Sequence, residues 1–540
     1  MPLVPAVLTL AVALWDIGRP SYWLDEAATV SAVNRTMPDT LRLFDNLDLV
    51  HALYYLLMHP WASLFGLGET AMRLPSALAV AAAAAGTAVI GRHCAGPLAG
   101  LLAGLVFAVN PEVTRFGQEA RSYALVMAVA VAATYLLLRG LRGRGRRAAW
   151  SWTAGYGAAL AVLVLLNLYA ALLVAAHGAT LLAMRGRARG AWPRWLAASG
   201  IVAAALVPFA LAASDQKGQV SWIKGPSGRT LPEILWFFSG GDWWTAVPVT
   251  ALLLLGGYAG FRALRPEAGG DAPAAPSLGA VAVPWLVLPS AVLLTVSLFD
   301  PVFLHRYVAY SLPAAALLVG AGLAWTARRT VRGARTVGAV AAAVALVVLV
   351  ATAVPQHREV RRQDSRPDDL RAAADVLRAN ARPGDAMMYM AGIVRWSAAA
   401  YPSAFSDLPD VALATDAPRA GNLKGRDLLP REMRGRLAAA GRVWVMTSRM
   451  VEYPRPPILE RRLEFMHEMG FRKQAGRWRF RGGELVLFER VAPTRAASKT
   501  KAKSKAKGNA KVRKARCSRS GRPLPGTSAR ECSSRRSARP

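Results

Sequence analysis

Cysteine and acid are what this chain has least of. Cys94, Cys517 and Cys532 are its three cysteines in 540 residues, too few for a disulfide framework. With no CxxC and no Cys/His cluster in the sequence, they argue against structural zinc and redox chemistry. No convincing nucleotide-binding GxGxxG or metal-binding DxD signature is present either, so neither a metal site nor a cofactor is expected. Acids number 33 against 67 Lys and Arg, a formal charge of +34. A nucleic-acid binder with that balance is polar, whereas here 54% of residues are hydrophobic and the mean hydropathy is positive. Nucleic acid is therefore set aside as a partner. The charge is also uneven: residues 495–540 hold sixteen Lys and Arg and one acid, Glu531. From Ala492 onward there is almost nothing apolar to bury, so 492–540 reads as a disordered basic tail, either simply solvated or adhering to anionic polymers and headgroups.

Apolar runs are what the chain has in abundance. Eleven candidate membrane helices lie near 3–17, 75–91, 97–110, 121–138, 149–166, 168–184, 195–213, 245–261, 279–298, 306–326 and 336–354. Most are long enough to cross a hydrocarbon layer of about 30 Å at about 1.5 Å per helical residue. The expected fold class is a polytopic α-helical membrane protein. The first run is short and lacks a basic segment before it, so it reads as a signal anchor or as part of a longer helix.

Arginine placement orients the spans, because Lys and Arg in short loops stay in the cytoplasm. With the N-terminus inside, the inner loops hold sixteen arginines, from Arg92 to Arg335, against two acids, Glu267 and Asp271. The opposite face collects twelve acids, from Asp25 to Asp300. After eleven crossings the chain emerges outside. Residues 1–354 then form the membrane domain, with a first outer loop at 18–74, and 355–491 form a small extracytoplasmic α/β domain. In that domain Pro367 to Arg382 reads as a helix, Ala386 to Met390 and Val443 to Thr447 as buried strands, and Trp478 to Glu489 as a hairpin turning at Gly482-Gly483.

The loop 18–74 carries the densest acid and histidine content. Asp25 and Glu26 follow the first span directly; two adjacent carboxylates there read equally as helix capping or as a reactive pair. Downstream come Asp45, Asp48 and His51, then an interfacial amphipathic stretch from Tyr54 to Trp61. Arg73, Arg121 and Arg306 each precede a span running inward, at helix N-termini that attract anions. Each alone reads equally as a snorkelling anchor. Together with Asp25 on one face, they suit a phosphate-linked lipid substrate reacting at the outer surface.

Ser21 to Thr29 (SYWLDEAAT), His51 to Trp61 (HALYYLLMHPW), Met72 to Ser76 (MRLPS), Gln118 to Ala124 (QEARSYA) and His305 to Tyr307 resemble, in that order, the bacterial polyprenyl-phosphate-sugar glycosyltransferases of the GT-C superfold. Those enzymes are relatives of the protein O-mannosyltransferases and of the lipid A aminoarabinose transferase. The resemblance covers roughly residues 15–330. It implies a multi-pass bacterial cell-membrane enzyme with Asp25 as catalytic base. One departure is His51-Ala52-Leu53-Tyr54, where His-Pro-Pro-Leu is common.

The residues fit that chemistry. A sugar on polyprenyl phosphate carries its own leaving group, so the protein must supply a base for the acceptor hydroxyl and cations for the departing phosphate. Asp25 offers the first, with Glu26 orienting it or binding acceptor; Arg121 and Arg306 offer the second. Asp48, His51, Tyr54, Arg73, Glu119, Tyr123 and Tyr307 are the further substrate-binding candidates. Trp222, Trp236, Trp243 and Trp244 offer faces for sugar stacking or an interfacial belt. The expected partners are a polyprenyl-phosphate sugar donor (mannose or a similar hexose), a glycan, glycolipid or protein acceptor, and membrane lipids. Two rival readings are a transporter or flippase of lipid-linked sugars and a non-catalytic envelope scaffold. Against the first, there is no internal repeat and the acids sit at the outer surface, not mid-span.

Overall fold

The computed structural model describes residues 1–142, 145–184, 188, 190–241, 243–262, 276–328, 335–449 and 457–491; the basic tail read at 492–540 lies outside them. The chain is a multi-span helical membrane protein with a small α/β layer at one end.

The chain enters through α1 (Leu3–Leu14), and the first loop folds into α2 (Leu24–Val33), α3 (Met37–Asn46) and α4 (Ala52–Phe65). In α4, Tyr54, Tyr55, Met58 and Ala62 are buried at helical spacing while Leu57, Leu64 and Phe65 are exposed, the amphipathic pattern read from the sequence. Then follow α5 (Glu69–Ala95), α6 (Pro97–Val109), α7 (Pro111–Gly117), α8 (Tyr123–Arg142), α9 (Arg146–Leu166), α10 (Leu172–Ala183) and α11 (Trp192–Asp215). The bundle closes with α12 (Thr230–Ser239), α13 (Trp243–Arg262), α14 (Leu278–Ser297), α15 (Leu312–Arg328) and α16 (Arg335–Val360).

Eight helices among the described residues are long and apolar enough to cross a membrane, or nine if α6 and α7, bent by 64°, count as one span. Each of the eleven runs expected from the sequence falls on a helix, and length and composition alone separate those eight from α1, α6 and α10. Leu3–Leu14 and Leu168–Ala183 are shorter apolar helices; the twelve residues of α1 rise only about 18 Å. The α6–α7 bend has a local cause. Asn110 accepts from the Glu112 N–H at 2.9 Å and so caps a new helix, and Pro111 occupies its first position. Small residues let the first helical hairpin close tightly: a Cβ at Gly91 would lie 2.8 Å from the Gly100 Cα.

After α16 comes α17 (Leu370–Asn380), capped by Asp369. The sheet strands are β1 (Ala386–Tyr389), β2 (Leu413–Thr415), β3 (Arg426–Asp427), β4 (Arg442–Ser448), β5 (Phe471–Phe480) and β6 (Gly483–Arg490). The main sheet runs β1-β4-β6-β5, with β1 parallel to β4 and the rest antiparallel. The β5–β6 turn holds Gly482 at φ 88°, the left-handed region glycine tolerates. One hydrophobic cluster runs from the bundle into this layer, joining Tyr22 and Leu24 to Leu370, Tyr401 and Phe405. The α/β layer is therefore packed on the first loop.

Candidate active site

Leu24 to Thr29 wind as the first turns of α2, with no side-chain cap from Trp23. That geometry sends the two adjacent acids to different places. Glu26 is sealed inside: Arg73 donates Nε to its Oε1 at 2.8 Å and Nη2 to its Oε2 at 2.7 Å, with both side chains 0% exposed. The remaining Arg73 donors go to the carbonyls of Ile17, Pro20 and Ser21, and the Ala120 N–H donates to Glu26 Oε1 at 2.8 Å. This corrects the expectations for both residues. Every Arg73 donor has a protein acceptor, so it presents nothing to a phosphate, and Glu26 ties α2, α5 and the 118–122 segment together away from solvent.

Asp25 points the other way. Its Oδ2 lies 3.5 Å from Arg306 Nη1, and the two side chains are 25% and 20% exposed. Arg306 sits in the 3-10 turn His305–Ser311 that leads into α15, with its guanidinium over the rings of Trp23, Trp222 and Tyr307. Arg121, two residues before α8, donates Nη1 to the Asp25 carbonyl and Thr29 Oγ1, both at 3.3 Å, and Nη2 to His51 Nε2 at 2.7 Å. Burial works against the Arg121 charge, but Tyr55, Asp25, Tyr123 and Asp48 around it hold its pKa well above the ordinary value. The Nε of Arg121 and the Nε of Arg306 are both buried, with the Tyr55 and Tyr307 hydroxyls beside these guanidinium groups. Two guanidinium groups thus lie at Asp25, Arg306 on its carboxylate and Arg121 on its backbone carbonyl.

His51 lines the same site as a neutral imidazole. A guanidinium only donates, so Nε2 accepts and the ring proton sits on Nδ1. Burial, then the charges of Arg121 and Arg306, push its pKa well below the usual value. Tyr307 stacks on Tyr169, ring centroids 5.0 Å apart, and Tyr123 packs edge-on to Phe116. Three further candidates lie around this site. Asp48, at φ 60°, accepts from the Tyr55 hydroxyl at 2.9 Å. The Tyr54 hydroxyl is buried near Ser76. Glu119 is buried, and burial raises its carboxyl. Of the four tryptophans read as stacking faces, Trp222 reaches Arg306; Trp236 and Trp243 meet edge-on and Trp244 is 83% exposed.

The sequence reading missed Tyr55, Thr29 and Trp23, all inside motifs already quoted, and Asp368, for which no sequence signal exists. Asp368 Oδ2 accepts from the Leu24 N–H at 3.3 Å. The Tyr401 hydroxyl accepts from the Tyr22 N–H at 3.0 Å and donates to Glu69. The α/β layer therefore holds the strand of chain that delivers Asp25. Among the described residues no group of three or more His, Cys, Asp or Glu is placed to hold a metal ion.

Residues 51–212 match the family model described as dolichyl-phosphate-mannose-protein mannosyltransferase. No curated protein matches the chain in sequence. Solved structures do match in fold. The apo ArnT of Cupriavidus metallidurans superposes with a TM-score of 0.57 at 14% identity, over 90% of this chain and 97% of that one. The same enzyme bound to undecaprenyl phosphate gives 0.53 at 14% identity, with the same coverage of 90% and 97%. The oligosaccharyltransferase of Archaeoglobus fulgidus gives 0.51 at 11% identity, over 85% of this chain and 70% of that one. The chain thus has the GT-C fold of the polyprenyl-phosphate-dependent membrane glycosyltransferases, with the mannosyltransferase-family match lying in its residues 51–212.

Proposed function

We propose that the protein transfers a sugar, mannose or a similar hexose, from a polyprenyl-phosphate carrier to an extracytoplasmic acceptor. The observation that carries this reading is the accessible Asp25 carboxylate 3.5 Å from Arg306 Nη1, with the Arg121 guanidinium bonded to the Asp25 backbone carbonyl beside it. Undecaprenyl phosphate in the similar ArnT supports the same donor class.

In a single displacement, Asp25 takes the proton of the acceptor hydroxyl as its oxygen bonds to the anomeric carbon. The carbon–oxygen bond to phosphate breaks, and its electron pair leaves on the polyprenyl phosphate, where charge grows. Arg306 and Arg121 are already charged and desolvated there, so they stabilise that charge without reorganising. Attack opposite the leaving group inverts the anomeric centre. His51, kept neutral, accepts from Arg121 and fixes its direction; Tyr307 and Trp222 wall the space beside Arg306.

The test is Asp25→Asn with purified protein and a polyprenyl-phosphate hexose. Glycosyl transfer should fall at least a thousandfold while thermal melting and donor binding persist; wild-type turnover would sink the assignment. The arginine asymmetry orients the site to the outside. Reporter tags at Arg144 and Arg332 should then read cytoplasm, and tags after Asp45 and Gly421 the outside.

A further inference from the structure

The end of the bundle away from Asp25 holds a cavity. Arg73, bonded to Glu26, and Arg92 lie on the same helix α5, 19 residues apart, which is about 28 Å of helix. Beside Arg92, between α1, α5, α6 and α8, is a cavity of about 360 Å³, within the range of about 300–1,000 Å³ typical of small-molecule sites.

Its polar wall is built almost wholly of donors. Arg92, His93, Tyr135 and Arg142 line it, and no Asp or Glu does. Arg142 donates Nη1 to His93 Nδ1 at 3.0 Å and Nη2 to the His93 carbonyl at 3.3 Å. Because a guanidinium cannot accept, His93 Nδ1 must, which leaves the ring proton on Nε2. That Nε2 is buried with no partner among the described residues. Arginines at the last turns of α5 and α8 are favoured by the helix dipoles alone. The dipoles explain neither a cavity of this size nor an orphaned N–H beside two cations, an arrangement that costs free energy unless an acceptor comes. Met1 and Pro2 also line it, and Val89 and Leu101 are among its apolar residues.

We propose that this cavity binds the phosphate of an anionic lipid from the leaflet at that end of the bundle. The phosphate oxygens accept from the guanidinium groups of Arg92 and Arg142 and from His93 Nε2–H, and the lipid's apolar part leaves along α5 and α6. A guanidinium fork suits phosphate geometry.

The full chain in neutral detergent is titrated with phosphatidylglycerol, with phosphatidylcholine and with inorganic phosphate, and read by thermal melting and by native mass spectrometry. Phosphatidylglycerol should raise the melting temperature and remain bound, and phosphatidylcholine should not. The Arg92→Gln/Arg142→Gln pair should weaken phosphatidylglycerol binding at least tenfold. Arg262→Gln, an arginine stacked on Tyr258 outside this cavity, should leave it unchanged. Arg92 is exposed, so Arg92→Gln alone, expected to weaken binding about threefold, carries the test if the Arg142 change prevents folding. Unchanged lipid binding in these variants, or an equal loss in Arg262→Gln, overturns the proposal. Full protection by inorganic phosphate with no further gain from lipid would show that the cavity takes free phosphate and would overturn the lipid assignment.

Discussion

The carboxylate of Asp368 accepts the Leu24 N–H through Oδ2 at 3.3 Å, from 344 residues away. It serves as the N-cap that Trp23 does not provide to the helix carrying Asp25. Burial first, and then the nearby Asp25 charge, push the Asp368 carboxyl up to about 6. Its proton is held more tightly folded than unfolded, so this group's stability contribution is full below its ordinary value of 3.8 and is lost as pH rises through about 6. Asp368→Asn keeps an acceptor and removes the charge, so above pH 6 it should melt at or above the wild type. Asp368→Ala should lose about 1 kcal/mol and slow transfer through kcat more than KM. Pairs of melting and rate curves at pH 5 and 7.5 check this; a silent Asp368→Ala would remove its positioning role.

His51 slopes in the opposite direction. Its folded pKa lies well below 6.5, so the unfolded chain binds more protons below 6.5 and stability falls as pH drops through that range. His51→Gln, which still offers an oxygen to Arg121, should flatten the decline between pH 6.5 and 5. It should also leave the acidic limb of the rate profile where it was, since His51 is already neutral. Movement of that limb in His51→Gln would mean that His51 titrates during turnover.

The buried Glu26–Arg73 pair is expected to govern folding, not donor recognition. Removing one member strands a charge at a 0% exposed site, a loss of about 3–5 kcal/mol. Glu26→Gln and Arg73→Gln should therefore express poorly or melt much lower, with the donor KM of any folded fraction unchanged. Normal melting with a raised donor KM would return Arg73 to the phosphate site.

For Arg121 and Arg306 the expectation is reversed. Alanine at either should leave melting within a few degrees, raise donor KM and lower kcat, with a total on the order of 3 kcal/mol. Lysine should rescue only in part, lacking the guanidinium fork. A donor titration in detergent decides it; wild-type kinetics with intact folding would make both arginines mere anchors.

Transfer is expected to survive EDTA. On the proposed mechanism the departing phosphate meets two guanidinium groups, and among the described residues no group of three or more His, Cys, Asp or Glu is placed to bring a metal to it. A strict requirement for added Mn²⁺ or Mg²⁺ would turn Asp25 into a ligand and overturn its proposed role as base.

By itself the sequence determined the membrane-spanning helical class and the short motifs that resemble the GT-C enzymes. Both are carried by local signals: long apolar runs, the spacing of Tyr54, Tyr55, Met58 and Ala62 in α4, and residues such as Asp25 and Arg121 inside contiguous strings. The strands Ala386–Tyr389 and Arg442–Ser448 were legible for the same reason, as apolar runs between turn residues. Tertiary structure alone decided what each charged group faces. Asp25 and Glu26 are neighbours with the same chemistry. One turns to Arg306 and solvent and the other to Arg73 and the interior, because successive residues on a helix point about 100° apart. The shortness of α1 and of Leu168–Ala183, and the break at Asn110-Pro111, likewise emerged only in the structure: eight helices, or nine with the bent pair, pass on length and composition among the described residues. The reach of Asp368 to Leu24 was invisible beforehand, since a hydrogen bond closed across hundreds of residues leaves no periodicity to read; it exists only once the α/β layer has packed on the first loop.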